Sequence, residues 1–311
     1  MHIIHDLEKF EAPWESSVIT LGVFDGMHRG HQALVNRLQK RSRRNNRARL
    51  LVTYHPHPDL VLGKRKSLRG VELFTYEEKL ALLQRFDLDA AVFLSFTPEL
   101  ARMTALRYLK EILIGKLRAS HIIIGYDQCF GRGRKGNFDF LKKMSHRYDY
   151  KVERIGAVKN RGKLVSSSLI RGLLNEGDIK TANRLFDHEF FLTGTVVRGF
   201  QRGADLGFPT ANLEVPETKL VPADGVYTAI AEWGARRFRA MVNIGSKPTF
   251  GRENRTIEAH LLDFNENLYG EQLRLYFKAR LRDEQKFDGP EALVEQLKKD
   301  REKAAKLKLK L

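Results

Sequence analysis

Two hydrophobic rhythms divide the chain. In its first part, short apolar runs at residues 18–23, 50–54, 90–96 and 122–124 alternate with stretches whose apolar residues recur every three or four positions. The runs have the length and aliphatic content of buried strands, and the periodic stretches read as helices with one buried stripe. Leu34, Val35 and Leu38 mark a first helix, Leu80, Leu83 and Phe86 a second, and Leu106, Leu109, Ile112 and Leu113 a third. Thr75 and Glu78 form a capping box ahead of the second, and Thr104 caps the third. Ile122, Ile123 and Ile124 lack polar alternation, as expected of a strand covered on both faces. Residues 152–155 fit a fifth strand. Strands alternating with helices predict a Rossmann-like α/β domain with a parallel sheet and right-handed crossovers.

The rhythm changes after a short helical connector at 179–186. Runs at 191–197, 225–230, 239–244 and 258–262 are short strands between Gly/Pro-rich turns, the pattern of a small antiparallel β-barrel. A terminal helix over 290–303 follows, with Leu293, Leu297 and Ala304 on its inner face. The change predicts two domains, 1–184 and 185–311.

Candidate chemistry collects where strands end and helices begin. The first run passes into Gly22-Val23-Phe24-Asp25-Gly26-Met27-His28-Arg29-Gly30-His31. Gly22 and Gly26 permit close approach or positive φ. His28 and His31 stand three apart and so on one side of the helix start, where free N–H groups attract anions. The plain alternative is a strand–turn–helix corner with two satisfied histidines. The second run ends in His55-Pro56-His57-Pro58, an extended loop at a strand's carboxyl end, or simply a rigid turn. The fourth run enters residues 125–137, where Gly125, Gly131, Gly133 and Gly136 accompany Arg132, Arg134 and Lys135. Such a loop suits a phosphate, or is flexible and basic. Ser166, Ser167 and Ser168 form an N-cap with Arg171 one turn in, which also describes a plain capped helix. In the second half, Gly207-Phe208-Pro209-Thr210-Ala211-Asn212-Leu213 reads as a loop. Thr210 and Asn212 offer the neutral oxygens that Mg²⁺ accepts, unless the turn is structural. Cys129 reads as an inert small residue.

The spacing Gly22-x-Phe24-Asp25-x-x-His28-x-Gly30-His31 resembles the signature of the HxGH nucleotidyltransferases. Its Phe-Asp-Gly form is similar to the flavin branch, the prokaryotic bifunctional riboflavin kinase/FAD synthetases. The resemblance implies that Gly22, Phe24, Asp25, Gly30, Ser166, Ser167 and Ser168 bind ATP phosphates. It makes His28, His31 and Arg171 the groups that stabilise charge, and places Pro56, His57, Pro58, Asp127 and Phe130 at the flavin. Gln128 stands where an aromatic residue is usual. In the second half Pro209-Thr210-Ala211-Asn212 looks like the riboflavin kinase motif, in which Gly207, Pro209, Thr210 and Asn212 hold ATP and the last pair Mg²⁺. The likeness continues through Gly225-Val226-Tyr227, Asn243-Ile244-Gly245, Pro248-Thr249-Phe250-Gly251, His260, Asp263-Phe264, Tyr269-Gly270 and Phe287-Asp288. It makes Glu258 the general base. The implied activity is phosphorylation of riboflavin to FMN by residues 185–311, then adenylylation of FMN to FAD by residues 1–184, with only one activity retained as the alternative. Other HxGH acceptors, such as pantetheine phosphate, have no use for the kinase-like half.

Composition narrows the partners. With 311 residues and 42% hydrophobic content the chain has ample core for two domains. No apolar run approaches a membrane span, and Met1 to Asp6 lacks the blocks of a secretory signal. The single cysteine excludes an internal disulfide, so a cytoplasmic enzyme is expected. The net charge of +17 permits nucleic acid, anionic membrane or polyphosphate ligands. One basic run, at 37–49, lies on the solvent side of the first helix, which Asn45 and Asn46 would break; the other is at 303–310. Neither carries the interleaved aromatics of a nucleic-acid platform. Expected partners are therefore riboflavin, FMN and ATP, with no nucleic acid and no membrane; oligomeric state is left open.

Overall fold

His2–Ile4 (β1), Ser17–Leu21 (β2), Ala48–His55 (β3), Ala90–Ser95 (β4), Ala119–Gly125 (β5) and Lys151–Ile155 (β6) form one sheet in the order β1-β4-β3-β2-β5-β6. Every pairing in it is parallel. β2 is buried at all five positions, as a central strand under helices on both faces must be. From β2 the chain moves outward through Arg29–Ser42 (α1) to β3 and β4, then returns to the other side of β2 as β5. The carboxyl end of β2 is thus the switch point of the sheet, where a crevice opens. The computed structural model describes residues 1–43, 47–63, 67–199, 203, 206–249 and 252–309. Arg44, Asn45 and Asn46, Phe250 and Gly251, and Lys310 lie outside the described residues.

α1 buries Leu34, Val35 and Leu38, as its spacing predicts. Its basic side is not simply solvated: Arg37 and Arg41 both bind Glu153 on β6, at 2.5 and 2.7 Å. A short helix, Pro58–Val61 (α2), follows β3. The capping box before Tyr76–Leu83 (α3) is formed in both directions, Glu78 N to Thr75 Oγ1 and Thr75 N to Glu78 Oε2. The buried stripe of α3 is Glu78, Lys79, Leu82 and Leu83 rather than Leu80, Leu83 and Phe86. The box fixes the helix start, so these i, i+4 pairs face inward, and the helix ends before Phe86. Pro98–Arg102 (α4) precedes Ala105–Arg107 (α5), capped by Thr104, which runs on as a π-helical segment, Tyr108–Lys116. The segment buries Tyr108, Leu109, Ile112 and Leu113. Its wider turn moves Leu106 off that face, leaving it 40% exposed, against expectation. Phe138–Tyr148 (α6) leads to β6, and Lys159–Asn160 (β7) pairs with Lys163–Leu164 (β8).

The chain divides into two compact units, Met1–Ser167 and Ser168–Leu311. Ser167–Asn175 (α7) and Ile179–Phe186 (α8) precede Phe191–Val197 (β9), Ala211–Glu214 (β10), Gly225–Trp233 (β11), Arg236–Thr249 (β12), Arg252–Leu261 (β13) and Gln272–Arg282 (β14). These six strands close a barrel, β10-β13-β12-β11-β14-β9, with every pairing antiparallel. β14 alternates Leu273, Leu275 and Phe277 inward with Arg274, Tyr276 and Lys278 outward. The segment read as a loop at 207–213 is strand from Ala211 onward, because those residues complete the barrel between β9 and β13. The terminal helix, Pro290–Ala305, buries Ala304, with Val294 and Leu297 packed against a cluster of Phe208, Met241 and Leu262. Asp300 on it is wholly buried, and accepts from Arg282 Nε at 2.8 Å and Gln296 Nε2 at 3.0 Å.

Asp300→Ala leaves the Arg282 guanidinium without its carboxylate, and an unpaired buried charge costs about 3 kcal/mol. Urea denaturation of the barrel is expected to show a loss of that size. Lys299→Ala, which breaks only the exposed pair with Glu295, is expected to leave the midpoint unchanged.

Candidate active sites

The turn after β2 is crowded and heavily bonded. Phe24, Gly26 and Met27 all hold positive φ, at 48°, 98° and 44°. Such a path persists only where surroundings hold it. Thr53 Oγ1 and Lys79 Nζ both donate to the Val23 carbonyl, at 2.8 and 3.1 Å. Leu73 N donates to Asp25 Oδ1 at 2.9 Å, Ser167 Oγ to the Asp25 carbonyl at 2.8 Å, and Gln32 Nε2 to the Met27 carbonyl at 2.9 Å. Gly22 leaves room for the side chains beside it. A Cβ there would lie 3.3 Å from the Phe24 ring and 3.4 Å from Gln128 Oε1.

His28 caps α1, its Nδ1 accepting from His31 N at 3.3 Å, so the ring is neutral with its proton on Nε2. The two imidazoles stack, with centroids 3.7 Å apart and planes 15° apart. A Cβ on Gly30 would come within 3.0 Å of the His28 ring, which is why glycine sits between the histidines. Burial first, then the neighbouring His28 and Lys79, hold the His31 pKa well below the ordinary histidine value. His31 Nδ1 is buried and has no protein partner. No acid stands in the first turn of α1. A neutral stacked pair on an acid-free helix N-terminus is suited to phosphate oxygens.

The other predicted residues of this half divide. Ser166 precedes α7 and Ser167 opens it, tied to the Asp25 carbonyl. Ser168 and Arg171 fall in the second compact unit. His57 is buried and caps α2, its Nδ1 accepting from Asp59 N at 3.1 Å. Burial lowers its pKa, and Asp25 works against that. Pro58 is half-buried and Pro56 exposed. Asp127 is exposed in the loop after β5. Phe130 instead turns inward against Tyr108, ring centroids 5.0 Å apart, and its backbone bridges to Gly136, so it anchors the loop. Lys79 was not singled out by sequence. The signal was there, since Leu82 and Leu83 follow it at i+3 and i+4 on one face.

In the second half, register sets the site. Glu258 on β13 is the partner of Asn212 on β10 and of Asn243 on β12, so the three side chains form a row on one face. Ile257 and Ala259 point into the barrel, which puts that row outside. Thr256 Oγ1 donates to Glu258 Oε1 at 3.3 Å. A cavity of about 330 Å³ opens over the row, with Thr210, Glu258 and His260 on the barrel side and Leu293 and Leu297 of the terminal helix opposite. His260 Nδ1–H donates to the Pro209 carbonyl at 2.8 Å and fastens the 207–212 segment to β13. Burial pulls its pKa down, and that hydrogen bond opposes the shift. No Cβ fits at Gly199, where Asn212 packs. A second cavity, about 440 Å³, lies between Thr210 and the loop bearing Phe264 and Tyr269, so Thr210 lines both. Glu284, also missed by sequence, lines the first cavity and accepts from Asn243 Nδ2 at 3.3 Å. Among the described residues no three His, Cys, Asp or Glu gather as a metal site. A hard cation here would take neutral oxygens from Thr210 and Asn212 and the rest from its ligand, as Mg²⁺ does.

The comparisons agree with this division of labour. A family model of FAD synthetase matches residues 10–169, and one of riboflavin kinase matches residues 186–308. A Bacillus subtilis (strain 168) protein described as a bifunctional riboflavin kinase/FMN adenylyltransferase is 32% identical, over 98% of this chain and 96% of its own length. An Escherichia coli (strain K12) protein of the same description is also 32% identical, over 96% of this chain and 94% of its own length. A solved Streptococcus pneumoniae structure, described as a macrolide-efflux protein, shares the fold: its TM-score is 0.90 at 30% identity, over 99% of this chain and 100% of that one. The chain belongs to the family of bifunctional riboflavin kinase/FMN adenylyltransferases, pairing a FAD synthetase half with a riboflavin kinase half.

Proposed function

We propose that residues 185–311 convert riboflavin to FMN and that residues 1–184 convert FMN to FAD, each with ATP. In the kinase half, Glu258 takes the proton of the ribityl 5′-hydroxyl as its oxygen bonds to the γ-phosphorus, and ADP leaves. Thr210, lining both cavities, stands where the phosphoryl group passes between ATP and flavin, and Gly207, Pro209 and Asn212 complete the phosphate contacts. Thr210 and Asn212 would hold Mg²⁺, which when bound neutralises phosphate charge. In the synthetase half, an FMN phosphate oxygen attacks the ATP α-phosphorus in line, and pyrophosphate leaves. His28, His31 and Arg171 stabilise the charge on the phosphates, so no protein nucleophile is required. Gly22, Phe24, Asp25, Gly30 and the serines 166–168 shape the phosphate site. Pro56, His57, Pro58 and Asp127 border the flavin, with Phe130 holding the loop behind it.

The observation that carries this reading is the neutral His28–His31 stack on the N-terminus of α1, together with Glu258 under a cleft in the same chain. Small molecules are the proposed partners, without nucleic acid or membrane, and the cytoplasm, with its ATP, is the proposed location. Among the described residues no helix is long and apolar enough to cross a membrane.

Purified protein given riboflavin, ATP and Mg²⁺ is expected to form FMN and then FAD, followed by chromatography over time. Neither product would overturn the reading, and FMN alone would leave one activity. Glu258→Gln is expected to slow FMN formation by about 1,000-fold while added FMN is still converted to FAD. His31→Ala is expected to do the reverse, lowering FAD formation by about 100-fold and sparing the kinase.

A further inference from the structure

Lys79 is only 5% exposed, and its ammonium faces the carboxylates of Asp25 and Glu72 besides one backbone carbonyl. The Val23 carbonyl it reaches already accepts from Thr53 Oγ1, so that oxygen does not need a second donor. Burying an ammonium is costly, and Leu82 and Leu83 show what the same face of α3 accepts otherwise. What lysine adds is a positive charge beside the turn. Groups from each neighbouring element face it: Asp25 from the turn after β2, Glu72 from the segment ahead of α3, His31 from α1, and His55 and His57 from the end of β3.

We propose that Lys79 is a positioning residue for adenylyl transfer, its buried ammonium fixing the Val23–Met27 turn and keeping the His28–His31 stack in place for the nucleotide phosphates. This rests on the reading of those histidines as phosphate contacts. The stack disfavours charge, because a proton on either ring would stand beside the positive end of α1 and would repel any proton on the other ring 3.7 Å away. Lys79 adds to that by opposing a proton on His31. Its charge lowers the pKa of His31, His55 and His57 alike, while Asp25 and Glu72 raise that of His57. Removing it therefore moves His31 protonation to higher pH.

Three substitutions separate bond from charge. Lys79→Met removes both, Lys79→Gln keeps a donor without charge, and Lys79→Arg keeps both. In the full-length protein, Lys79→Met is expected to lower kcat for FAD formation from FMN by about 100-fold, the scale of a small misplacement at the reacting groups. FMN formation from riboflavin stays at the wild-type rate. NMR titration of His31 shifts to higher pH in Lys79→Met and returns to the wild-type position in Lys79→Arg, which also recovers most of the rate. If the methionine variant loses its dispersed histidine resonances, Lys79→Gln is judged on the same criteria. Wild-type kcat with an unmoved His31 titration in the neutral variant overturns the proposal, as does equal impairment of the neutral and arginine variants with His31 unmoved. His31→Ala run in parallel keeps the two readings apart. Full FAD formation by His31→Ala would mean the histidines do not serve the phosphates, whereas an inactive His31→Ala beside a fully active Lys79→Met would sink the Lys79 role alone.

Discussion

The first half depends on one backbone constraint. Between Leu21 and Arg29 the chain must leave a buried central strand, take positive φ at Phe24, Gly26 and Met27, and deliver His28 as a helix cap. None of this is favourable locally. It is held from outside by Thr53, Leu73, Lys79, Ser167 and Gln32, which come from five separate places in the chain. The sheet order gives the turn its meaning, because β2 lies between β3 and β5 and its end is where the crevice opens.

The second half presents its polar side chains by other means. A six-stranded barrel fills its own interior with side chains, so the chemistry moves to the outer face. There the strand register aligns Asn212, Glu258 and Asn243 without any turn. The terminal helix supplies the apolar wall, and the Arg282–Asp300 pair fastens that helix to β14.

Two buried lysines show how much company matters. Lys219 donates to the Phe191 carbonyl at 2.9 Å and lies 4.7 Å from the centre of the Phe190 ring, so aromatic faces accommodate its charge. Lys79 sits among carboxylates and imidazoles instead, where its charge acts on groups that titrate.

Much of this was legible in sequence because it follows from local pattern. Continuous apolar runs alternating with helical spacing marked the parallel sheet, short runs between turns marked four of the barrel strands, the capping box marked Thr75 and periodicity the terminal helix, and the motifs marked His28, His31, Thr210 and Glu258. β1 and β10 escaped because three and four residues are too short for a period to show, and β14 was missed although Leu273, Leu275 and Phe277 alternate with Arg274, Tyr276 and Lys278. Leu106 escaped because a π-helical turn obeys no α-helical spacing. The stacking of His28 on His31, the inward turn of Phe130, the row built by register and the placement of Lys79 and Glu284 were decided by tertiary structure alone. Each depends on which distant residues are brought within a few ångströms, and that distance is a property of the fold rather than of any window of sequence.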